Sequence, residues 1–285
     1  MTRVTRRIFL KTALTLGVSG LGATALGWAG SHSFQISRYK VALERLKSPL
    51  RVVQLSDLHF GRWHGEDAVK RWVTATLEQS PDLIVLTGDI VDGACSLERE
   101  AKLTLELSRL KAPLGVFAVL GNHDYFRRNG TREAGMGHMI AALEGVGIQY
   151  LTNSGVQLRP DFYLAGVDDL WKGVVNLGRA LENAPANSAT VLLSHNPDLL
   201  PNVPSSVNLT LSGHTHGGQI RAPFDVGLYS ISAFGERFQR GFIESDPRAD
   251  GTLARGFVSR GLGTTGPPFR TFCPAEVIVL ELEPA

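Results

Sequence analysis

The stretch Leu83-Ile84-Val85-Leu86-Thr87-Gly88-Asp89-Ile90-Val91-Asp92 decides the architecture. Its apolar run, opened by Pro81-Asp82 and closed by Gly88, reads as a parallel strand covered on both faces that ends by delivering a carboxylate. Alone, Gly88-Asp89 would be an ordinary strand-to-loop turn. The pattern recurs in Val52-Val53-Gln54-Leu55-Ser56-Asp57-Leu58-His59, in Val116 to Gly121-Asn122-His123-Asp124, in Val191-Leu192-Leu193-Ser194-His195 and in Leu209-Thr210-Leu211-Ser212-Gly213-His214-Thr215-His216. Ligands of open α/β sheets collect outside the carboxyl ends of the strands. Five apolar runs ending in carboxylates, an amide and imidazoles therefore point to a divalent-metal centre rather than to separate structural histidines. Residues two apart in an extended segment share a face, so Asp57 with His59, and His214 with His216, are each expected to address a single point.

The ordered set Asp57-x-His59, Gly88-Asp89-x-x-Asp92, Gly121-Asn122-His123-Asp124, His195 and Gly213-His214-Thr215-His216 resembles the calcineurin-like metallophosphoesterase superfamily. Every block is present, in order, between about residues 50 and 220. The resemblance implies an α/β fold in which two mixed β-sheets pack as a sandwich flanked by helices, with two metals at the strand ends. It implies Asp57, His59 and His216 on one metal, Asn122, His195 and His214 on the other, and Asp89 bridging them. His123 is then the catalytic imidazole, with Asp124 orienting its ring. The mixed nitrogen and oxygen donors suit Mn, Fe, Zn or Co without naming one.

With 285 residues, 43% hydrophobic and 20% charged, the chain has ample material for one large α/β domain, expected over residues 50–285. Residues 1–30 hold no Asp or Glu and carry Arg3, Arg6, Arg7 and Lys11 ahead of the uncharged run from Ala13 to Ala29. Such a segment reads as an export signal or N-terminal anchor, and Thr5-Arg6-Arg7-Ile8-Phe9-Leu10-Lys11 matches the twin-arginine pattern. Ala23-Thr24-Ala25 offers a cleavage site, yet the run is nearly long enough to remain in a membrane. Residues 31–49, polar and mixed, read as a linker. The net charge of +2 comes from 29 basic against 27 acidic residues, and without the leader the count is 25 against 27, leaving no footprint for nucleic acid. Two cysteines, Cys95 and Cys273, exclude a disulfide-built scaffold, and whether they pair is left open.

Around the metal blocks, Glu66 to Gln79 has the spacing of a helix burying Val69, Trp72, Val73 and Thr76, and Ser96 is placed to cap a second helix. His64 follows two proposed ligands and is a candidate for the pocket wall. Arg127, with Arg128, follows the Asn-His-Asp loop and is placed to steer an anionic substrate, and Arg270 is a candidate for contacting substrate phosphate, since a guanidinium can hold phosphate oxygens in a fork. Asp168-Asp169 reads as structural or as a support behind the ligands, the ligand set being complete without it. The arrangement from Gly256 through Arg270 to a final strand over Val277 to Leu282 is similar to the exported bacterial branch of the superfamily, apart from Ala275-Glu276 where Pro-Glu is expected before that strand.

Two cations about 3.5–4 Å apart can share a hydroxide, lower its pKa toward about 7 and neutralise phosphoryl oxygens, so that it attacks phosphorus directly. The expected activity is hydrolysis of a phosphodiester or pyrophosphate in the cell envelope, on a substrate that includes lipid- or wall-linked ones, by a monomer exported through the twin-arginine machinery. The first alternative is a UDP-2,3-diacylglucosamine pyrophosphatase of lipid A metabolism. Its cytoplasmic form has Arg where His123 stands, although another branch of such hydrolases looks more like this sequence. A phosphomonoesterase of the Ser/Thr phosphatase type would show Arg-Gly after Asp92 and Glu after Asn-His, where this chain has Gly93-Ala94 and Asp124. A noncatalytic, metal-stabilised envelope-binding protein would have lost a ligand or His123. Changing Arg6 and Arg7 together to Lys should leave a folded, metal-loaded protein in the cytoplasm, read by cell fractionation, and unchanged export of that variant removes the twin-arginine assignment.

Overall fold

A computed structural model describes residues 27–28, 30–248 and 251–285. The leader expected over residues 1–30 lies, except for its last few positions, outside the described residues. Among the described residues no helix is long and apolar enough to cross a membrane.

Short buried runs become the inner strands. In chain order the strands are β1 (Phe34–Leu43), β2 (Leu50–Leu55), β3 (Leu83–Thr87), β4 (Val116–Val119), β5 (Ile148–Tyr150), β6 (Ser154–Arg159), β7 (Phe162–Gly166), β8 (Ala189–Leu193), β9 (Leu209–Ser212), β10 (Arg221–Ala222), β11 (Val226–Gly227), β12 (Gly241–Glu244), β13 (Arg255–Val258) and β14 (Ala275–Pro284). Two six-stranded sheets result, ordered β1-β14-β2-β3-β4-β5 and β12-β13-β9-β8-β7-β6. Both are mixed. In the first, β2 to β5 are parallel and β14 runs antiparallel to β2. In the second, β7, β8, β9 and β13 are parallel between two antiparallel edges. The strand expected from Leu83 is β3, buried at every position as a strand covered on both faces must be.

The sheets pack face to face through Val52, Val85, Phe117 and Ile278 of one and Leu164, Val191, Leu209 and Phe257 of the other. Helices α1 (Glu66–Leu77), α2 (Leu97–Leu107) and α3 (His138–Glu144) cover the outer face of the first sheet. Helix α1 buries Val69, Trp72, Val73 and Thr76, the face read from its spacing. The Ser96 hydroxyl accepts the Arg99 N–H to cap α2. A short helix α4 (Leu177–Leu181) and the turn Pro197–Asn202 cover the second sheet's outer face. The fold is thus a sandwich of two mixed sheets flanked by helices.

One boundary differs from the sequence reading. The linker expected over 31–49 contains β1, which pairs parallel with β14 along its whole length, from Phe34 opposite Ala275 to Leu43 opposite Pro284. It is an edge strand in which Gln35, Arg38, Lys40 and Ala42 are exposed, and its apolar residues divide between the two faces, Phe34 and Ile36 packing on the helical side and Tyr39, Val41 and Leu43 against the second sheet. Lys40 reaches Glu283, and Ser37 donates to the buried Glu276 at 2.6 Å.

Candidate metal centre

The segments that follow β2, β3, β4, β8 and β9 converge at one end of the sandwich and are tied to one another before any side chain is considered. Asp57 N–H donates to Gly88 O (3.0 Å), His59 N–H to Asp89 O (2.9 Å) and Gly213 N–H to His195 O (3.0 Å). The two sheets are joined by Gln54 Nε2, which donates to Ser212 O at 2.9 Å, and by His195 Nδ1, which donates to Thr87 O at 2.7 Å. That second bond fixes the His195 tautomer and leaves Nε2 facing the site with a lone pair.

The strands end before the ligand residues do. Asp57 (φ 52°), His59 (φ 44°), Asp89 (φ 50°), His214 (φ 71°) and His216 (φ 52°) all have left-handed backbone. Asp and His accept that region more readily than bulkier or branched residues, and its cost is tolerated where the surroundings over-determine it. At Gly88 (φ 87°) only glycine serves, because a side chain there would meet Gly121 N at 2.6 Å and His195 Nδ1 at 2.7 Å. The turns, rather than an extended alternation, aim the side chains. Asp57 and His59 do meet, but His214 and His216 point into different groups.

Two buried groups of ligating atoms form, Asp57 with His59 and His216, and Asp89 with His195 and His214. In the first, His59 Nε2 lies 3.0 Å from His216 Nε2, which is 3.5 Å from Asp57 Oδ1. In the second, His195 Nε2 lies 3.2 Å from each of Asp89 Oδ2, Asn122 Oδ1 and His214 Nδ1. Asp89 Oδ2 is also 3.5 Å from His59 Nε2, so this one oxygen stands between the groups. Nitrogen and oxygen lone pairs converge here with little between them to share, and His214 Nε2 is buried without a partner. Such a donor set fits divalent cations. Burial disfavours charge on His195, but the Asp89 carboxylate more than offsets it and the imidazole is pushed up to about 10, so Nε2 holds a proton that a bound cation would have to displace. Burial and the His195 charge hold His214 down to about 3, the neutral form that ligates, and burial with His59 holds His216 low as well.

His123 stands at the rim, its ring 4.8 Å from that of His59. The backbone N–H of His123 donates to Asp89 Oδ1 at 2.8 Å, and its Nδ1 faces Asp92 Oδ1 at 3.2 Å. The partner assigned from sequence, Asp124, is elsewhere. Its buried carboxyl accepts the N–H groups of Val91 (3.0 Å) and Gly121 (2.9 Å) and braces the loop, with burial and the Asp89 charge pushing it up to about 7. Asp92 is the residue missed as a site member, although it lies in the quoted Gly88-Asp89-x-x-Asp92 block. Its carboxyl also lies 3.5 Å from His59 Nδ1, and the hydrogen bond from His123, with that from His59, holds its pKa low.

Of the substrate candidates, two are committed to the scaffold. The Arg270 guanidinium is buried and donates to the carbonyls of Gly263 (2.6 Å), Arg260 (2.8 Å) and Cys273 (3.2 Å), with Nη2 3.4 Å from His216 Nδ1. It is a brace behind His216, its donors taken up by backbone carbonyls. His64 is buried against Thr264 Oγ1 (2.9 Å), and burial with the Arg270 charge holds it down to about 3. Arg127 is exposed. The cysteines are free, and the Cys273 thiol donates to His216 O at 3.3 Å. Sequence reading also passed over Trp171. The Asp169 carboxylate accepts the N–H groups of Trp171 (3.0 Å) and Lys172 (2.7 Å), shaping a loop that sets the half-exposed indole edge-on to His214 at 4.3 Å. The structural part read for Asp168-Asp169 is this loop.

The pattern of the calcineurin-like phosphoesterase family matches residues 50–218. The chain is 31% identical over 261 residues to an uncharacterized metallophosphoesterase of Aquifex aeolicus, an alignment spanning 89% of this chain and 93% of that one. It is 32% identical over 299 residues to the phosphodiesterase YaeI of Escherichia coli, spanning 98% and 99%. Among solved structures, TT1561 of Thermus thermophilus is similar with a TM-score of 0.46 at 15% identity, over 75% of this chain and 90% of that one.

The hydrogen bond to Asp92 raises the His123 pKa above its ordinary 6.5, so the charged imidazole persists to higher pH than in the unfolded chain. Asp92→Asn removes the charge and should move the His123 titration to lower pH, checked by NMR titration of the ring. An unmoved titration would mean that Asp92 does not hold this ring.

Proposed function

This chain belongs to the calcineurin-like phosphoesterase family, is thereby a metal-dependent phosphoester hydrolase, and, we propose, uses two divalent cations to cleave phosphodiester or pyrophosphate bonds in the cell envelope. The observation that carries the proposal is the position of Asp89 Oδ2, within 3.2 Å of His195 Nε2 and 3.5 Å of His59 Nε2, between two groups that each have enough donors for a cation. Cations held there acidify an attacking water and neutralise the phosphoryl oxygens. Asp57, His59 and His216 would hold one, Asn122, His195 and His214 the other, and Asp89 both, with Mn, Fe, Zn and Co compatible with the donors.

The remaining work falls to residues of the rim. His123, one third exposed and backed by Asp92, is placed to give a proton from its ring to the oxygen that leaves phosphorus. Exposed Arg127 adds positive charge beyond the same loop and attracts an anionic substrate. Diester chemistry is favoured over the UDP-2,3-diacylglucosamine pyrophosphatase reading by the likeness to YaeI, named a phosphodiesterase, along nearly the full length of both chains. Export through the twin-arginine route, with the leader either cleaved or kept as an anchor, is supported by the basic, acid-free residues 1–30.

Metal-loaded protein should hydrolyse bis-p-nitrophenyl phosphate faster than the monoester or UDP-2,3-diacylglucosamine, and the reverse order would overturn the substrate class. Asp89→Asn should lower metal content toward or below one ion per chain, measured by elemental analysis, because both sites lose a donor. Two ions retained at full affinity would show that Asp89 is not shared. His123→Ala should keep both ions and lose about 10²–10⁴-fold in rate. The loss should be greater on an alkyl diester, whose leaving alkoxide needs the proton, than on a p-nitrophenyl ester. Equal losses on both would sink the proton-donor role, and loss of an ion would make His123 a ligand.

A further inference from the structure

Beyond the strand-end cluster, the molecule carries an apolar surface that its own described residues do not cover. The hairpin β10–β11 and its flanks expose Ile220, Val226, Leu228 and Tyr229, and at the tip Phe224 is 100% exposed. Phe272 adjoins them, 61% exposed, because Thr271 pairs with the hairpin: Arg221 N–H donates to Thr271 O at 3.0 Å, and Thr271 N–H to Gln219 O at 3.2 Å. A contiguous apolar face of this kind on a water-soluble surface marks an interaction site.

The hairpin is built to hold this shape. Arg221, buried at its base, pairs with Glu236 at 2.8 Å and with Asp225 at 3.1 Å, and Arg240 pairs with Asp225 as well. Phe224 (φ 61°) and Phe272 (φ 49°) have left-handed backbone, a costly conformation for a bulky side chain. Within the described chain neither ring gains burial in return. Both are displayed at some cost.

Gly27, near the end of the uncharged run of residues 13–29, packs at this same face. Arg270 N–H donates to Gly27 O at 3.0 Å, and a side chain at Gly27 would meet Phe269 at 3.2 Å and Thr271 at 3.6 Å. Gly30 and Ser33 line one cavity with Phe272, and exposed Trp28 stands at the point of entry. Aromatic and aliphatic side chains around the junction of a long apolar run suit the boundary between lipid headgroups and acyl chains. A cleft of about 240 Å³, lined by Leu228, Tyr229, Ile220 and the candidate ligand His216, leads from this face toward the cluster.

We propose that the β10–β11 hairpin with Phe272 is a membrane-seating surface, which rests in the headgroup region of a phospholipid bilayer and turns the cleft beside His216 toward it. The proposal concerns binding and stands or falls separately from the reaction assigned above.

The test uses the full chain. Phe224→Cys is labelled with the environment-sensitive fluorophore NBD, Cys95 and Cys273 being buried, and Val174→Cys, on the loop before α4, serves as the exposed control. Vesicles of phosphatidylethanolamine and phosphatidylglycerol carrying nitroxide lipids should quench the label at 224 and leave that at 174 in water. Phe224→Asp, which suits a left-handed turn and disturbs no packing, should weaken vesicle partitioning roughly ten- to hundredfold. Its hydrolysis of a water-soluble diester should be unchanged, which reads the catalytic assignment independently. Equal labelling responses at the two positions, or unchanged partitioning of Phe224→Asp, overturns the proposal. It is also overturned by a label at 224 already shielded without lipid: a concentration-dependent signal would assign the face to a second copy of the chain, and a concentration-independent one to the chain's own residues 1–26.

Discussion

A carboxylate taken out of water must find compensation on every side, and Asp89 is where this structure meets that demand. Burial of such an ion costs several kcal/mol. One hydrogen bond to a charged group returns about 1.5–3 kcal/mol. No single partner therefore suffices, and Asp89 draws on the segments after three other strands: the His123 amide, the His195 ring and the His59 ring. Each of those segments is itself fastened to a neighbour, His59 N–H to Asp89 O and His195 Nδ1 to Thr87 O. The architecture supplies the geometry. Three parallel strands of one sheet and two of the other bring their carboxyl ends to one place, and a pair of face-packed sheets leaves room for side chains between those ends.

Much of this was legible in the chain because buried parallel strands leave an unmistakable imprint. Leu83 to Thr87 has no polar alternation to confuse, and the abrupt Gly-Asp marks its end. The ligand residues were legible for the same reason, since Asp, Asn and His rarely close five apolar runs by accident. Their aim was not. Two-residue alternation assumes that the strand continues, whereas Asp57, His59, His214 and His216 sit in left-handed turns just past it. The edge strand β1 escaped notice because its apolar alternation changes phase between Ile36 and Tyr39, so Phe34 to Leu43 shows no sustained period.

Partner assignment failed where adjacency in sequence was taken for adjacency in space. Asp124 follows His123 directly, but the tight turn from Gly121 sends its carboxyl back into the loop's own amides. Asp92, thirty-one positions earlier, sits across from the ring. Arg270 misled in a related way. A guanidinium near a phosphoesterase site suggests an anion, yet carbonyl oxygens satisfy its donors equally well, and a loop with three glycines between 261 and 266 can bend around it to offer them. The site's cationic residues thus divide into those that stiffen its walls and those, such as Arg127, that remain free for solvent.

The strand order β1-β14-β2 carries a consequence for how the chain comes together. β1 has one neighbour, β14, and the residues that pair stand about 240 positions apart, as Ser37 and Glu276 show. Until β14 has been made, β1 has nothing among the described strands to join, and its apolar residues stay uncovered. β14 then fills the gap between β1 and β2, and the first sheet closes in one late, long-range step. Contacts of that separation are slow to form. The first sheet is therefore completed only when β14 inserts, and β1 is locked in place no earlier than that step.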